Sequence, residues 1–312
     1  MENVESSYKS GFVAVMGRTN VGKSTLINAL LGQKVAAVSS RPQTTRKRQM
    51  CILTIQQDDQ GAQIVFVDTP GLHKPHHKLG NLMNQEAVKT LEESDLILFV
   101  VDVSQPPNEE DHLLIERLKS SRKSDSTILV LNKIDIVHEM SFNANREKFL
   151  QAFPQSAVVA VSALEGENLK ELLEEIVAKL PTAPPFFPGD QLTDLYERDI
   201  IADLIREAAL NLLRDEVPHG IAVRIDQYLE RNERGAYIEA TMFVERESHK
   251  AILIGKDGSM LKKIGTVARK EFESMSDRKI FLRLNVKVRK NWRDDETVLR
   301  SFGILSDMEE HL

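Results

Sequence analysis

Short apolar runs rich in β-branched residues alternate with helix-patterned stretches through the first 180 residues of the chain. FVAVMG precedes KSTLINALLG, and IVFVDTPG precedes LGNLMNQEAVKTLEES. DLILFVVDV, STILVLNKID and SAVVAVSAL follow before ENLKELLEEIVAKL. Runs that are apolar at nearly every position predict strands buried on both faces, and apolar positions three or four apart predict the helices covering them. The fold class so predicted is α/β, a mostly parallel sheet with helices on both faces.

The pattern breaks at PTAPPFFPGDQ, residues 181–191, where four prolines and a glycine end the last helix. Beyond it the spacing predicts a helix over about 193–213 and two strands, IAVRIDQYLER and AYIEATMFVER, turned by ERNERG. A helix, the loop IGKDG, a lysine-rich helix and the strand KIFLRLNVKVRKNW then follow. The order α-β-β-α-α-β is that of a separate α+β domain. A chain of 312 residues is also too long for one ordinary core. The expected organisation is a first domain over 1–181, a Pro-rich linker over 182–193, and a second domain over 194–312 with a C-terminal tail.

Composition narrows the class. Apolar residues at 41% and charged residues at 28% exclude a disordered or fibrous chain. The opening MENVESSYKSG lacks the pattern of a signal peptide, and no apolar run reaches the ~20 residues of a membrane span. The single cysteine, Cys51, excludes an internal disulfide and a multi-cysteine zinc site; it lies in a strand, reads as a small buried residue, and points to a reducing cytoplasm. Net charge is −6, but from Phe243 to Arg293 there are 14 Lys plus Arg against 6 Asp plus Glu, or +8, leaving −14 elsewhere. That asymmetry is the footprint of a polyanion partner.

Four segments carry nucleotide chemistry. GRTNVGKS comprises Gly17, Arg18, Thr19, Asn20, Val21, Gly22, Lys23 and Ser24, with Thr25 next, and stands between a predicted strand and helix. Its glycines let backbone N–H groups curl around phosphate, Lys23 reaches the outer phosphates, and Ser24 offers a hydroxyl to Mg²⁺. Asp68, Thr69, Pro70 and Gly71, with Leu72 beyond, end another strand; Asp68 suits Mg²⁺ and the Gly71 N–H a terminal phosphate. In NKID (Asn132, Lys133, Ile134, Asp135), Asp135 suits the guanine N1–H and amine while Asn132 donates to the base, a pairing adenine does not offer. Ser162, Ala163 and Leu164 follow, with the Ala163 N–H available to guanine O6. Together they select GTP over ATP. The segment SSRPQTTRKRQM reads as a switch loop, with Thr45 preferred over Thr44 as an Mg²⁺ ligand and counted, with Lys23 and Asn20, among the catalytic residues. His73, His76 and His77 read as solvated switch residues rather than a metal cluster.

GRTNVGKS, QTTRKR, DTPGLHK, NKID, VSAL and IGKDG, with VKVRKNW…DDE…LRSFG at the end, resemble the Era family of bacterial GTPases across nearly the whole chain. The resemblance implies a P-loop GTPase domain followed by a type II KH domain. It also implies GTP hydrolysis with Mg²⁺, binding of small-subunit ribosomal RNA near its 3′ end, and a part in small-subunit assembly. A cytoplasmic monomer with peripheral inner-membrane association belongs to the same expectation. In KH folds a GxxG loop clamps a single-stranded backbone beside an apolar groove. Gly255, Lys256, Asp257 and Gly258 match that loop, Ile252, Leu253 and Ile254 would shape the groove, and Lys262 and Lys263 would meet phosphates. Trp292 reads as core more readily than as a base-stacking ring. Leu72 stands where some GTPases carry a water-orienting glutamine, so hydrolysis is expected to be slow. Two readings of Asn20 stand side by side: by resemblance a residue that lets K⁺ substitute for an arginine finger, or a loop asparagine bonding its own backbone. Two other function classes also stand, a GTPase of tRNA modification, which would need a reactive cysteine or a folate-binding domain, and a membrane-surface signalling GTPase.

Overall fold

The structure, a computed structural model, describes residues 8–39, 45–56, 61–71, 77–121, 124–153, 156–214, 217–232 and 235–304. Thr44, Leu72, His73 and His76 lie outside the described residues. There are two compact units, one built around a six-stranded sheet and reaching Asp194, the other built mainly from Leu195 onward and taking in residues 37–39 and 77–82.

The first runs β1 (Lys9–Met16), α1 (Lys23–Leu31), β2 (Gln49–Ile55), β3 (Ala62–Asp68), α2 (Lys78–Glu93), β4 (Leu96–Asp102), α3 (Glu109–Ser120), β5 (Thr127–Asn132), α4 (Glu139–Leu150), β6 (Ala157–Val161) and α5 (Leu169–Lys179). Strand order is β2-β3-β1-β4-β5-β6. All neighbours are parallel except β2, which runs antiparallel to β3. The continuous apolar runs divide by the strand period of two. Val13 and Val15 enter one core with Leu98 and Val100, while Ala14 and Met16 enter the opposite core with Phe99 and Val101. Both faces are therefore covered, as the unbroken apolar runs require. Because five strands point one way, their C-terminal ends share one edge of the sheet, and the loops leaving that edge build the site.

The predicted alternation omitted α3 and α4. Helix α3 carried a local sign, a capping box in which the Asn108 side chain accepts from Asp111 N and Asp111 accepts from Asn108 N. Cys51 is fully buried in β2, and burial, then Asp68 and Asp194, push its thiol well above the ordinary value. It is an inert thiol.

The Pro-rich segment after α5 lies along the first unit. Gln63, fully buried on β3, accepts from Phe186 N (2.7 Å) and Phe187 N (2.9 Å) and donates to Phe187 O (2.8 Å). Ile52 N donates to Leu192 O at 2.8 Å, so the chain also covers the outer edge of β2. One glutamine thus satisfies three backbone groups of a segment whose prolines cannot form a ladder.

The second unit follows the expected order: α6 (Glu197–Leu212), β7 (Ala222–Asn232), β8 (Gly235–Val244), α7 (Glu247–Ile254), α8 (Ser259–Ser276), β9 (Lys279–Val288), with a short α9 (Glu296–Ser301) added. Its sheet is β7-β8-β9, antiparallel then parallel. On α8, Ile264, Ala268 and Phe272 recur at i, i+4 and i+8 and are buried, which leaves Lys262, Lys263 and Arg269 outward. Trp292 is core: it is 0% exposed, and its indole N–H donates to Gly220 O at 3.0 Å.

Candidate functional site

Gly17 to Gly22 link β1 to α1, with Lys23, Ser24 and Thr25 in the first helical turn. Gly22 caps α1 with φ 100°, a conformation that excludes side chains, and a Cβ there would sit 2.4 Å from Asn132 Nδ2. Asn20 is exposed and left-handed at φ 64°. The Lys23 ammonium folds over the loop and donates to Gly17 O (2.9 Å) and Arg18 O (3.0 Å). Burial lowers its pKa from 10.5 to about 8, against the opposing pull of Asp68 and Glu110. Gly71 approaches closely: a Cβ on it would lie 3.1 Å from Thr19 N and 3.3 Å from Lys23 Nζ.

Ser24, Thr45 and Asp68 meet although they come from α1, the segment before β2, and the end of β3. Ser24 Oγ and Thr45 Oγ1 each donate to Asp68 Oδ2 at 2.9 Å and lie 3.3 Å apart. Asp68 Oδ1 is buried with no well-formed hydrogen bond. Burial pushes the Asp68 carboxyl above its ordinary value, while Lys23, the two hydroxyls and the Thr69 N–H pull the other way. Thr69 anchors the following turn through Val15 O at 3.1 Å, and Pro70 is buried beside it. Two hydroxyls and a carboxylate with an unsatisfied oxygen form a donor set that fits a hard divalent cation.

On the other side of the phosphate loop, Asn132 ends β5, and its amide ties two loops. It donates to Val21 O (2.7 Å) and accepts from Ala163 N (3.0 Å). The sequence reading gave Asn132 to the base and the Ala163 N–H to guanine O6; here the two also bond each other, which makes Asn132 a brace between two loops and leaves the second amide N–H for a base. Asp135, in the exposed turn that includes Ile134, accepts from Ser162 Oγ at 2.6 Å, and Leu164 beyond Ala163 is 74% exposed. Lys133 takes φ 71° and donates to Asp102 Oδ2 at 2.7 Å.

Asp102 and Asp111 were missed by sequence reasoning. The Arg18 Nε lies 3.3 Å from Asp111 Oδ2, and its NH2 nitrogen 4.0 Å from Asp102 Oδ2, so the guanidinium is directed toward α3. Burial works against charge on Asp102, but Lys133 and Ser104 together hold its carboxyl below the ordinary value. Asp102 ends an apolar strand, a position the sequence marks, but nothing local says which loops it ties.

In the second unit the GKDG turn joins α7 to α8. Gly255 has φ 71° and Gly258 φ 76°; Asp257 shares the left-handed region at φ 53°, which short polar side chains tolerate. A Cβ on Gly255 would meet Met260 N at 2.9 Å. Lys256, Asp257, Lys262 and Lys263 are exposed, and Gly258 is the N-cap of α8. Leu253 does not shape a groove: it is fully buried, while Ile252 is 49% exposed and Ile254 half-buried. A groove of about 730 Å³ instead runs from Gly258 along Lys262, Thr266 and Arg269 of α8 to Phe281 and Arg283 of β9 and to Tyr237. The β9 wall was absent from the sequence reading, though the alternating polar and apolar positions of KIFLRLNV hinted at it.

Residues 12–133 match the family described as 50S ribosome-binding GTPase, and residues 216–293 match the KH domain family. A GTPase Era of Clostridium kluyveri is 44% identical over 296 residues, 95% of this chain and 99% of its own. An Aquifex aeolicus Era variant bound to GDP·AlF4⁻ superposes with a TM-score of 0.89 at 39% identity, covering 95% of this chain and 99% of that one. Era in complex with MgGDPNP and nucleotides 1506–1542 of 16S ribosomal RNA matches equally well. Since these relatives match both units almost end to end, and each nucleotide segment sits at the sheet edge its chemistry requires, the chain belongs to the Era family of GTPases.

Proposed function

We propose that a first domain, residues 1–181, works as a GTP-driven switch while a second, 194–312, grips single-stranded small-subunit ribosomal RNA near its 3′ end during small-subunit assembly. Residues 182–193 connect them. The observation that carries the nucleotide half is the convergence of Ser24, Thr45 and Asp68 on one carboxylate whose second oxygen has no well-formed bond. These three would hold Mg²⁺, which supplies charge neutralisation at phosphate oxygens when bound. Lys23 exchanges two loop carbonyls for phosphate, Gly71 closes on the same side, and Asp135 reads guanine from its exposed turn. Without a water-orienting side chain at Leu72, turnover is slow. Potassium assistance through Asn20 belongs to the same reading, and comparing turnover in K⁺ and Na⁺ with and without Asn20→Ala tests it.

The RNA half is supported by the GKDG turn, the cation-lined groove, and the Era relative solved with 16S RNA. The buried, inert Cys51 speaks against tRNA modification chemistry. No described helix is long and apolar enough to cross a membrane; a cytoplasmic monomer with peripheral inner-membrane contact completes the proposal. The test titrates a labelled RNA from the small-subunit 3′ end against protein loaded with GDP or a non-hydrolysable GTP analogue. Nucleotide must change RNA affinity by the factor by which RNA changes nucleotide affinity. Equal affinities would leave two tethered binders and no switch, and absence of binding would remove the RNA half.

A further inference from the structure

The sheet of the second unit packs one face on its helices. On the other, Leu229, Tyr237 and Phe281 stand directly opposite one another across β7, β8 and β9. Phe281 is 61% exposed and Leu229 48%. The Tyr237 and Phe281 rings are stacked, with centroids 5.6 Å apart and planes 10° apart. The Arg231 guanidinium lies 5.3 Å above the Tyr237 centroid. Guanidinium, phenol and phenyl thus form a row, and the Tyr237 hydroxyl is directed to Glu239 Oε2 at 3.4 Å. The row ends at Phe281 because β9 is the sheet edge. Its outer ring face looks to where a next strand would be. Tyr237 and Phe281 also line the groove that begins at Gly258, so the row continues that groove rather than standing apart from it.

We propose that this row is a nucleobase platform: a base of single-stranded RNA, adjacent in the strand to those held by the groove, stacks on the outer face of Phe281. The inference rests on the RNA reading above and adds a position beyond the roughly four nucleotides a KH groove receives. Every base offers a π-face, so the platform adds affinity with little sequence preference, and a ring already stacked and fixed on a strand loses little freedom on binding. Charge selects the occupant. Arg231, Arg269 and Arg283 flank the rings and suit phosphates, while the acidic Glu239 is engaged by Asn285 at 2.8 Å and by Arg283 at 3.7 Å. A second copy or another protein docking by an apolar face would leave those cations facing apolar surface.

The test uses the full chain with two single-stranded RNAs from the small-subunit 3′ region, one of four nucleotides and one of eight. Phe281→Ala is expected to weaken the longer RNA by about 5- to 150-fold, the span of one base–aromatic stack, to weaken the shorter, which meets Phe281 only as part of the groove lining, by a clearly smaller factor, and to leave the melting temperature unchanged because the ring is exposed. Phe281→Trp is expected to restore the longer RNA. Equal binding of the eight-mer by Phe281→Ala and wild type overturns the platform. An equal loss for both lengths makes Phe281 a groove wall and nothing more, and overturns it too. Altered sedimentation with intact RNA binding assigns the face to self-association. Failure of the underlying reading looks different: wild-type protein binds neither RNA, or binds both unaltered after Lys256→Glu with Lys263→Glu.

Discussion

Replacing Asn132 with Ala separates a brace from a base contact. The Asn132 side chain is buried, donating to Val21 O at 2.7 Å and accepting from Ala163 N at 3.0 Å. The variant strands a carbonyl of the phosphate loop and an N–H of the loop after β6. At about 1–3 kcal/mol for each buried orphan, the loss is about 2–6 kcal/mol, reduced by whatever water reaches the gap. For a domain of this size each kcal/mol moves the melting temperature by about 2–4 °C, so nucleotide-free protein should melt roughly 4–24 °C lower. Calorimetry of nucleotide-free protein, with GDP titrations alongside, reads both consequences. Gly22→Ala supplies an independent arm, because its Cβ would fall 2.4 Å from Asn132 Nδ2 and displace the same amide. In the Asn132→Ala background it should cost less than in wild type, retaining only the strain of φ 100°. A base contact predicts weaker GDP binding with an unchanged nucleotide-free melting temperature; that result, or strict additivity of the two variants, would refute the brace.

Asp135→Asn removes the carboxylate proposed to read guanine and should lower GTP affinity by about tenfold or more while raising affinity for XTP; unchanged affinities for both would end the assignment. The pH dependence follows from Lys23, whose free-state pKa is about 8. Bound phosphates hold the charged form, so above pH 8 binding must take up a proton and affinity falls as pH rises, about fourfold between pH 7 and 8.5. Titration calorimetry in buffers of different ionisation enthalpy measures that uptake, and a flat profile contradicts the buried ammonium. Lys256→Glu with Lys263→Glu should weaken RNA of any sequence and flatten the logarithmic salt slope by about 1.4, two single-strand phosphate contacts, with GTP affinity unchanged.

The nucleotide segments were legible in the chain because each is local: a glycine at a left-handed position, a lysine one residue on, and a carboxylate closing an apolar strand need only their neighbours to be understood. The α-β-β-α-α-β order was equally visible, since periods of 2 and 3.6 are written into consecutive residues. Which partner each side chain meets was not. Asn132 and Ala163 are 31 residues apart and Asn132 and Val21 111 apart, so their bonds exist only once β5 is in register with β6 and with β4, which separates it from β1. Arg18 finds Asp111 because α3 lands beside the phosphate loop, and Gln63 finds Phe186 and Phe187 across more than 120 residues. Leu253 shows the same limit within one short helix. Ile252, Leu253 and Ile254 are alike as letters, but an eight-residue helix has one buried face, and the position of the sheet chose Leu253 for it. Phe281 is the converse case. Strand alternation says that it opposes its neighbours Ile280 and Leu282, but only the parallel pairing of β9 with β8 sets it against Tyr237 and leaves its other face at an open edge. Sequence determines the local conformational and chemical menu; long-range register, which no local pattern encodes, decides which groups on that menu meet.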